Sequence, residues 1–297
     1  METQSIELSG VNVPLKNLEK IYFPESELSK ADVLEYYIFA APLILPHIKD
    51  KPFTMIHFPH GMGGDAKSFY QKQRPDGAPG WLDGVTLPSE KRGTIDWCLV
   101  NDEASIAYMV NRGVLEMHTW FSRLPDLGKA DVAVVDLDPS GASGFHEARI
   151  LARAFRSLLD ELKLKSFPKT SGGRGIHIYI PITLTSFDKI QSFLIPLCRI
   201  VAEAYPEAAT MERFVHKRGN RVYLDAVQNW GGKTIAAPYS LRVRKGAPVS
   251  APLFWEELDD DSLSPESINI VNIKSRIERY GDLMKDIYSH RQILPKI

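Results

Sequence analysis

Cysteine is scarce in this chain: among 297 residues only Cys98 and Cys198 carry a thiol. Two widely separated thiols build neither a disulfide framework nor a zinc site of the usual paired spacing, so both read as small buried hydrophobes. Net charge is equally small. At −1 overall the chain lacks the bulk basicity of a nucleic-acid coat protein, and any phosphate recognition has to come from local clusters. Long apolar runs are missing too. The longest, around YYIFAAPLILP, is too short to cross a bilayer, and METQSIELSG has no basic stretch followed by an apolar core. No membrane partner is expected, and a cytoplasmic enzyme is the default reading. There is no internal repeat or low-complexity tract.

What is present is ordinary for a globule: 44% hydrophobic and 25% charged residues, in a length that suits one large domain with two lobes or two domains. From Ser29, SKADVLEYYIFAAPLILPHI predicts a helix capped by Ser29 with Asp32 three residues on, interrupted at Pro42. PFTMIHF predicts a short strand, and GMGGDAKSFYQKQRP a glycine-rich loop leading into an aromatic and basic stretch. TIDWCLVND and ASIAYMVNRGVLEMHTWFS mix strand and helix signals. Ile150, Leu151, Ala154, Phe155, Leu158, Leu159 and Leu162 recur at helical spacing, and a second helix is expected over SFDKIQSFLIPLCRIVAEAY. GIHIYIPI and RVYLDAV alternate as strands. ELDDDS reads as a solvated linker before a helix begun at Ser264 and Pro265.

The chemistry starts at VAVVDLDPS, Val132 to Ser140. A strand points Asp136 and Asp138 the same way and Leu137 the other. Neighbouring carboxylates push one another towards the neutral form unless a cation holds both ionised. On this stretch alone, a metal site and a solvated Asp-x-Asp-Pro turn are both open. RVYLDAV adds Asp225, on one face with Arg221 and Tyr223. Three carboxylates from adjacent strands would hold two hard cations, Mg²⁺ or Mn²⁺, the set that serves phosphoryl or nucleotidyl transfer.

Around these acids lie candidate anion sites. In KTSGGRGIHIYIP the run from Ser171 to Gly175 would let backbone N–H groups converge on an anion, with Arg174 adding charge. Ile176, Ile178 and Ile180 then face a core and leave His177 and Tyr179 on an open face. APYSLRVRKG reads as a strand with Arg242 and Arg244 outward, suited to neutralising a polyphosphate. Lys30 falls in the first turn after the Ser29 cap, where free N–H groups and the helix dipole attract anions. Lys20 needs only a turn at FPESELS to come back beside it.

VVDLDP, TSGGRGIHIY and YLDAVQN with KTIAAPYSLR, in that order, resemble the three motifs of the archaeo-eukaryotic primase superfamily. Within it they are most similar to the polymerase domain of DNA ligase D, a nonhomologous end-joining polymerase. The resemblance spans nearly the whole chain, beginning at NLEKIYFPE and including EMHTW. It implies an α+β fold: a primase-like core, with an RRM-like sheet and packed helices, and an N-terminal α/β lobe over a central cleft. The N-terminal lobe would cover about 1–125, the core about 126–250 and a helical tail about 251–297.

The resemblance also implies roles. Asp136, Asp138 and Asp225 would bind two Mn²⁺ or Mg²⁺ ions and catalyse. Ser171, Arg174, His177, Arg242, Arg244 and His118 would hold the nucleotide, although some relatives carry lysine where Arg174 stands. Lys20, Lys30, Phe69, Tyr70 and Lys72 would contact DNA, the first two at a 5′-phosphate; for Phe69 and Tyr70 a place in the hydrophobic core is the other reading. The implied reaction adds nucleotides from NTP or dNTP to a primer 3′-hydroxyl at breaks and gaps. Ribonucleotides and Mn²⁺ would be preferred, with Ku and an ATP-dependent DNA ligase as partners. A primase starting chains de novo and a non-catalytic end-binding module are the alternatives, and a mere binder gains nothing from three carboxylates facing phosphate.

Overall fold

The computed structural model describes residues 4–62 and 68–297, so the part of the expected glycine-rich loop at 63–67 lies outside the described residues. Two hairpins come first, β1 (Gln4–Leu8) with β2 (Val11–Leu15) and β3 (Ile21–Phe23) with β4 (Leu28–Ser29), before α1 (Lys30–Ile48). Next are β5 (Pro52–His57), β6 (Phe69–Gln71), β7 (Gly84–Ser89) and β8 (Gly93–Leu99), then α2 (Glu103–Asn111) and β9 (Val114–Trp120). The second half runs β10 (Lys129–Pro139), α3 (Phe145–Glu161), β11 (Phe167–Thr170), β12 (Ile176–Ser186) and α4 (Phe187–Ala204). It closes with β13 (Ala209–Thr210), β14 (Val222–Leu224), β15 (Thr234–Ala236) and α5 (Ile273–Tyr280).

Two sheets result. One has the order β11-β12-β10-β14-β13, antiparallel except for the β13–β14 pair. β10 is central, and Val132, Ala133, Val134, Val135 and Leu137 are all buried, which is why its apolar run does not alternate. α3 and α4 pack on this sheet through Leu151, Phe155 and Leu159, and through Phe193, Leu197 and Val201. Each such side chain contributes about 1.5–3 kcal/mol on burial. The other sheet has the order β15-β9-β5-β8-β7, with β6 also on β5. β15 comes from the second half of the chain and pairs with β9, so the two halves share a sheet.

Several expectations are corrected. α1 does start with the Ser29–Asp32 capping box, but it runs through Pro42 and Pro46 unbroken. The two prolines lie one turn apart on the exposed face, where carbonyls lacking N–H partners meet water, while Tyr37, Ala41, Ile44 and Ile48 anchor the opposite face. The expected open face of β12 is covered: His177 is 5% exposed and Tyr179 3%. Tyr179 lines a small cavity with Thr119, Trp120 and Ile235 of the second sheet. APYSLRVRKG is no strand. Tyr239, at φ 65°, turns the chain out of extended geometry and leaves only a Leu241–Val249 bridge.

The aspartates of ELDDDS are exposed, as expected, but the segment is more than a linker: it docks on the basic face of α3. Arg149, 1% exposed, donates to Asp261 at 2.5 Å and to the Asp260 carbonyl, and Arg153 and Arg156 pair with Asp259 and Glu256. After it the helix starts at Ile273 rather than Ser264, because the Ser264–Ser267 and Asn269–Asn272 side chains close local turns first.

Asn229 ties the loop after β14 to the core. Fully buried, it accepts from the Val134 N–H at 2.8 Å and donates to the Val134 carbonyl at 2.7 Å, continuing the ladder where β14 stops. Asn229→Ala would leave both backbone groups buried and unmet, and we expect it to lower unfolding stability by about 2–4 kcal/mol in urea titration. Loss of less than ~0.5 kcal/mol would show that water replaces the amide.

Candidate active site

The register of the first sheet gathers the acids. Asp136 on β10 lies opposite His177 on β12, and Asp138 lies opposite Tyr223 on β14. The Asp225 N–H donates to the Asp136 carbonyl at 3.0 Å, which sets Asp225 beside Asp136 just past the end of β14. Directly opposed residues share a face, so Asp136, Asp138, Asp225 and His177 project to the same side. The loop from Ser171 to Gly175 can reach the end of β10 only because Gly175 has no side chain: a Cβ there would stand 2.2 Å from the Leu137 carbonyl oxygen.

Burial, then the charges of Asp138 and Asp225, raise the Asp136 carboxyl to about 7. Burial also raises Asp225, against a hydrogen bond from the Tyr223 hydroxyl. Asp138 is the exposed member and pairs with Arg218 Nη1 at 3.2 Å. His177 Nε2 stands 3.5 Å from Asp136 Oδ1, and its Nδ1 is buried without a partner. Burial, and then Lys169, Arg242 and His118, hold His177 well below the usual histidine range, so it is neutral at pH 7 and the contact is not an ion pair.

The donor set fits a hard divalent cation: carboxylates on one face, one of them pushed towards its neutral form by burial and then by the other two, which is the condition a metal relieves. As the side chains stand, no three of His, Cys, Asp or Glu among the described residues converge tightly enough to close a metal shell. Asp138, turned to Arg218, is the one that would have to swing.

A cleft of about 280 Å³ opens over this face. Asp136, Asp138, Ser171, Arg174, His177, His118, Arg242 and Arg244 all line it, so the expected nucleotide residues are brought together with two of the acids. The glycine loop differs from its expected form. Its Gly173 and Gly175 N–H groups both donate to Ser171 Oγ at 3.1 Å and are not free for an anion. Positive charge in the cleft therefore comes from arginines. Arg174 is held by the Pro139 and Gly141 carbonyls, and Arg242 Nη1 donates to the Ser171 carbonyl at 2.6 Å.

Glu116 organises this side and was not singled out in the sequence. It takes a hydrogen bond from His118 Nε2 at 2.9 Å and another from the Val243 N–H at 2.9 Å. Arg242 Nε lies 3.1 Å away in an ionic contact off the hydrogen-bond line. Burial pushes the Glu116 carboxyl up, but His118, Arg242 and Val243 outweigh it and hold it at about 2. Burial keeps His118 low and hence neutral near pH 7, so it serves Glu116 as an N–H donor. The signal was present: in EMHTW, Glu116 and His118 are two apart on a strand. Lys169, Arg218, Gln228 and Thr234 were also missed, and Arg218 gave no local signal.

The DNA candidates lie apart. Tyr70 is 72% exposed, which removes the core reading, and Phe69 stacks on His57 with ring centroids 4.5 Å apart. Lys72 sits over the Trp97 ring at 5.6 Å. The FPESELS turn does return Lys20 to the helix start, the Lys30 N–H donating to the Lys20 carbonyl at 2.8 Å. Lys30, expected with Lys20 at a 5′-phosphate, does not present its ammonium at the surface. It is 3% exposed and gives its three donors to the Lys16 and Asn111 carbonyls and Asn111 Oδ1. Burial, then the Lys20 charge, lower it to about 8. Lys20 Nζ itself donates to the Pro59 carbonyl at 2.6 Å and meets His60 Nδ1 at 2.9 Å.

The raised Asp136 carboxyl has a pH consequence. The folded, metal-free chain keeps that proton up to about pH 7, whereas an ordinary carboxyl near 3.8 releases it earlier. The folded state thus binds more protons across this window, and its stability falls as pH rises through it. We expect Asp136→Asn, which cannot ionise, to be more stable than wild type at pH 8 in EDTA by roughly 1–4 kcal/mol and to match it near pH 4. Thermal or urea unfolding at both pH values checks this, and a mutant weaker than wild type at pH 8 contradicts it.

Comparison with known proteins agrees with this arrangement. The family model for the primase-polymerase domain of LigD matches residues 29–284. The bifunctional non-homologous end joining protein LigD of Bacillus subtilis is 33% identical over 281 residues, 94% of this chain and 44% of that protein. The multifunctional LigD of Mycolicibacterium smegmatis is 31% identical over 288 residues, 96% of this chain and 37% of that protein. This chain thus spans less than half the length of these curated relatives. The solved polymerase domain of Mycobacterium tuberculosis ligase D in complex with DNA superposes with a TM-score of 0.86 at 32% identity, covering 94% of this chain and 99% of that one. With the fold, the acidic face and the family model in agreement, the chain belongs to the LigD primase-polymerase domain family, whose members are nucleotidyltransferases of the primase-polymerase type.

Proposed function

We propose that this chain is a template-dependent and end-processing polymerase that adds nucleotides from NTP or dNTP to a primer 3′-hydroxyl at DNA breaks and gaps. The observation that carries it is a face of three carboxylates beside a cleft lined by Arg174, Arg242 and Arg244. In the reaction the 3′-oxygen bonds to the α-phosphorus, the bond to pyrophosphate breaks and the hydroxyl proton is lost. Two divalent cations, Mn²⁺ or Mg²⁺, held by Asp136, Asp138 and Asp225 would lower the hydroxyl pKa and take up charge on the leaving pyrophosphate. Arg174, Arg242, Arg244 and Ser171 bind the triphosphate, and Glu116 with His118 fixes the direction of Arg242. Neutral His177 adds an N–H donor without competing for the cation. The exposed Phe69–Tyr70 strand, with Lys72 beside it, offers a stacking surface for template bases, a use supported by the DNA bound to the mycobacterial domain.

The names of the relatives support placing this chemistry in non-homologous end joining. Ku and an ATP-dependent ligase as partners, and a preference for ribonucleotides and Mn²⁺, are part of the proposal and rest on the motif resemblance alone. The decisive assay incubates the chain with labelled NTPs, Mn²⁺ and a 5′-phosphorylated gapped or 3′-overhanging duplex. Wild type extends the primer. Asp225→Ala should lose about a hundredfold or more while its fold is retained. Extension by Asp225→Ala at the wild-type rate would end the metal assignment.

At the DNA end, Lys20 meets a downstream 5′-phosphate, with the buried Lys30 ammonium adding field from beneath it. Wild type should bind a gapped duplex more tightly with the 5′-phosphate than without. Lys20→Ala should lose most of that difference, about three- to thirtyfold, and still extend a simple primer. Equal affinity of wild type for both duplexes at moderate salt would remove this role.

A further inference from the structure

Lys169 is fully buried, and the mechanism above makes no use of it. On β11 it stands opposite His177, which stands opposite Asp136, which adjoins Asp225. One row of ionisable groups thus crosses four strands, and Lys169 is its inner end. Its Nζ donates to Ser250 Oγ and, at 3.4 Å, to the Thr170 carbonyl, and it sits 5.6 Å from the centre of the Tyr179 ring. None of these partners is charged, and among the described residues Lys169 forms no ion pair. A buried ammonium without a counter-charge is costly. Burial, and then the Arg242 charge, hold the Lys169 amine well below the usual lysine range, against Asp136, which favours the ammonium.

The position borders the cleft: His177, opposite Lys169, and Ser171, two residues further on, both line it. The residues after Lys169 are Thr170 and the loop of Ser171 to Gly175, and Arg242 reaches the Ser171 carbonyl. The segment that carries Ser250 is bound to the same loop: Thr170 Oγ1 donates to the Val249 carbonyl at 2.9 Å and accepts from the Ala251 N–H at 3.0 Å.

We propose that Lys169 is a buried positioning charge for the nucleotide triphosphate, a lysine whose ammonium form has no counter-ion in the free chain and gains one when polyphosphate fills the neighbouring cleft. It touches neither the reacting atoms nor the phosphates. It acts through the field under the loop and past His177, so it governs affinity for the triphosphate rather than the chemical step. This inference rests on the polymerase reading of the same cleft.

The test uses the full chain with Lys169→Gln, whose amide keeps a donor for Ser250 and Thr170, and with Ser250→Ala, which keeps the charge but removes its hydroxyl partner. Titration with inorganic triphosphate and steady-state extension of a primed duplex are measured for both, alongside affinity for the duplex. Lys169→Gln should bind triphosphate roughly five- to thirtyfold more weakly and raise KM for NTP to match, with kcat and duplex affinity within about twofold. Ser250→Ala should stay close to wild type in all of these. Unchanged triphosphate affinity in Lys169→Gln overturns the proposal, as does a parallel loss of duplex affinity. A loss in Ser250→Ala as large as that expected for Lys169→Gln overturns it too, and decides the matter if Lys169→Gln fails to fold. If wild type extends no primer yet binds triphosphate and Lys169→Gln weakens that binding, the polymerase reading falls and the Lys169 assignment stands.

Discussion

Carboxylate repulsion in a half-buried setting is the constraint around which this site is arranged. Asp136 is held by its register between His177 and Asp225, and it cannot turn away from either without breaking the β10 ladder. The nearest cations, Lys169 and Arg242, relieve it only in part. Arg218 is committed to Asp138, and Arg242 is shared between Glu116 and the Ser171 carbonyl. Burial, and then this repulsion, raise the carboxyl to about 7, a cost that a divalent cation held there would remove. A fully solvated Asp-x-Asp turn would lack the burial part of that rise, which is the physical support for the metal reading of VVDLDP.

The same constraint explains why the cleft needs both halves of the chain. The acids stand on the sheet of the second half, but the group that aims Arg242, Glu116, stands on β9 of the other sheet. β15 runs from the acidic face back to β9 and supplies Thr234, Ile235 and Ala236 to the cleft wall. Moving one sheet against the other would shift the arginine relative to the carboxylates, so buried contacts such as Tyr36 Oη to the Tyr239 carbonyl at 2.6 Å act on the site from a distance.

Much of this was legible in the sequence because it is local. Period-two spacing put Asp136 with Asp138 on one face, and the Ser29–Asp32 pair marked the start of α1. Three motifs in order gave the family, a combination more specific than any of them alone. What could not be read depends on contacts far along the chain. The Lys30 ammonium is taken by Asn111, the open face of β12 is closed by the second sheet, and the ELDDDS acids meet arginines of α3. APYSLRVRKG alternates like a strand, yet a single residue, Tyr239 at positive φ, decides otherwise. Alternation reports which side chains are buried, not whether a partner strand is there to pair with.

The buried cations show how the fold separates structural charge from functional charge. Lys30 is surrounded by three oxygens, the main-chain carbonyl of Lys16, the carbonyl of Asn111 at the end of α2 and the Asn111 side chain, and every donor is used. Arg149 is equally enclosed but meets a carboxylate and a carbonyl of the docked acidic segment. Each finds close oxygen partners within the free chain, Lys30 three dipoles and Arg149 a carboxylate, as expected of a group whose task is to hold elements together. Lys169, at the same depth, has one hydroxyl and one distant carbonyl. Stability alone would favour a neutral residue of similar volume there. A lysine in that place makes physical sense when its counter-charge arrives with a ligand, and the residue opposite it, His177, lines the same cleft as Ser171, Arg174 and Arg242.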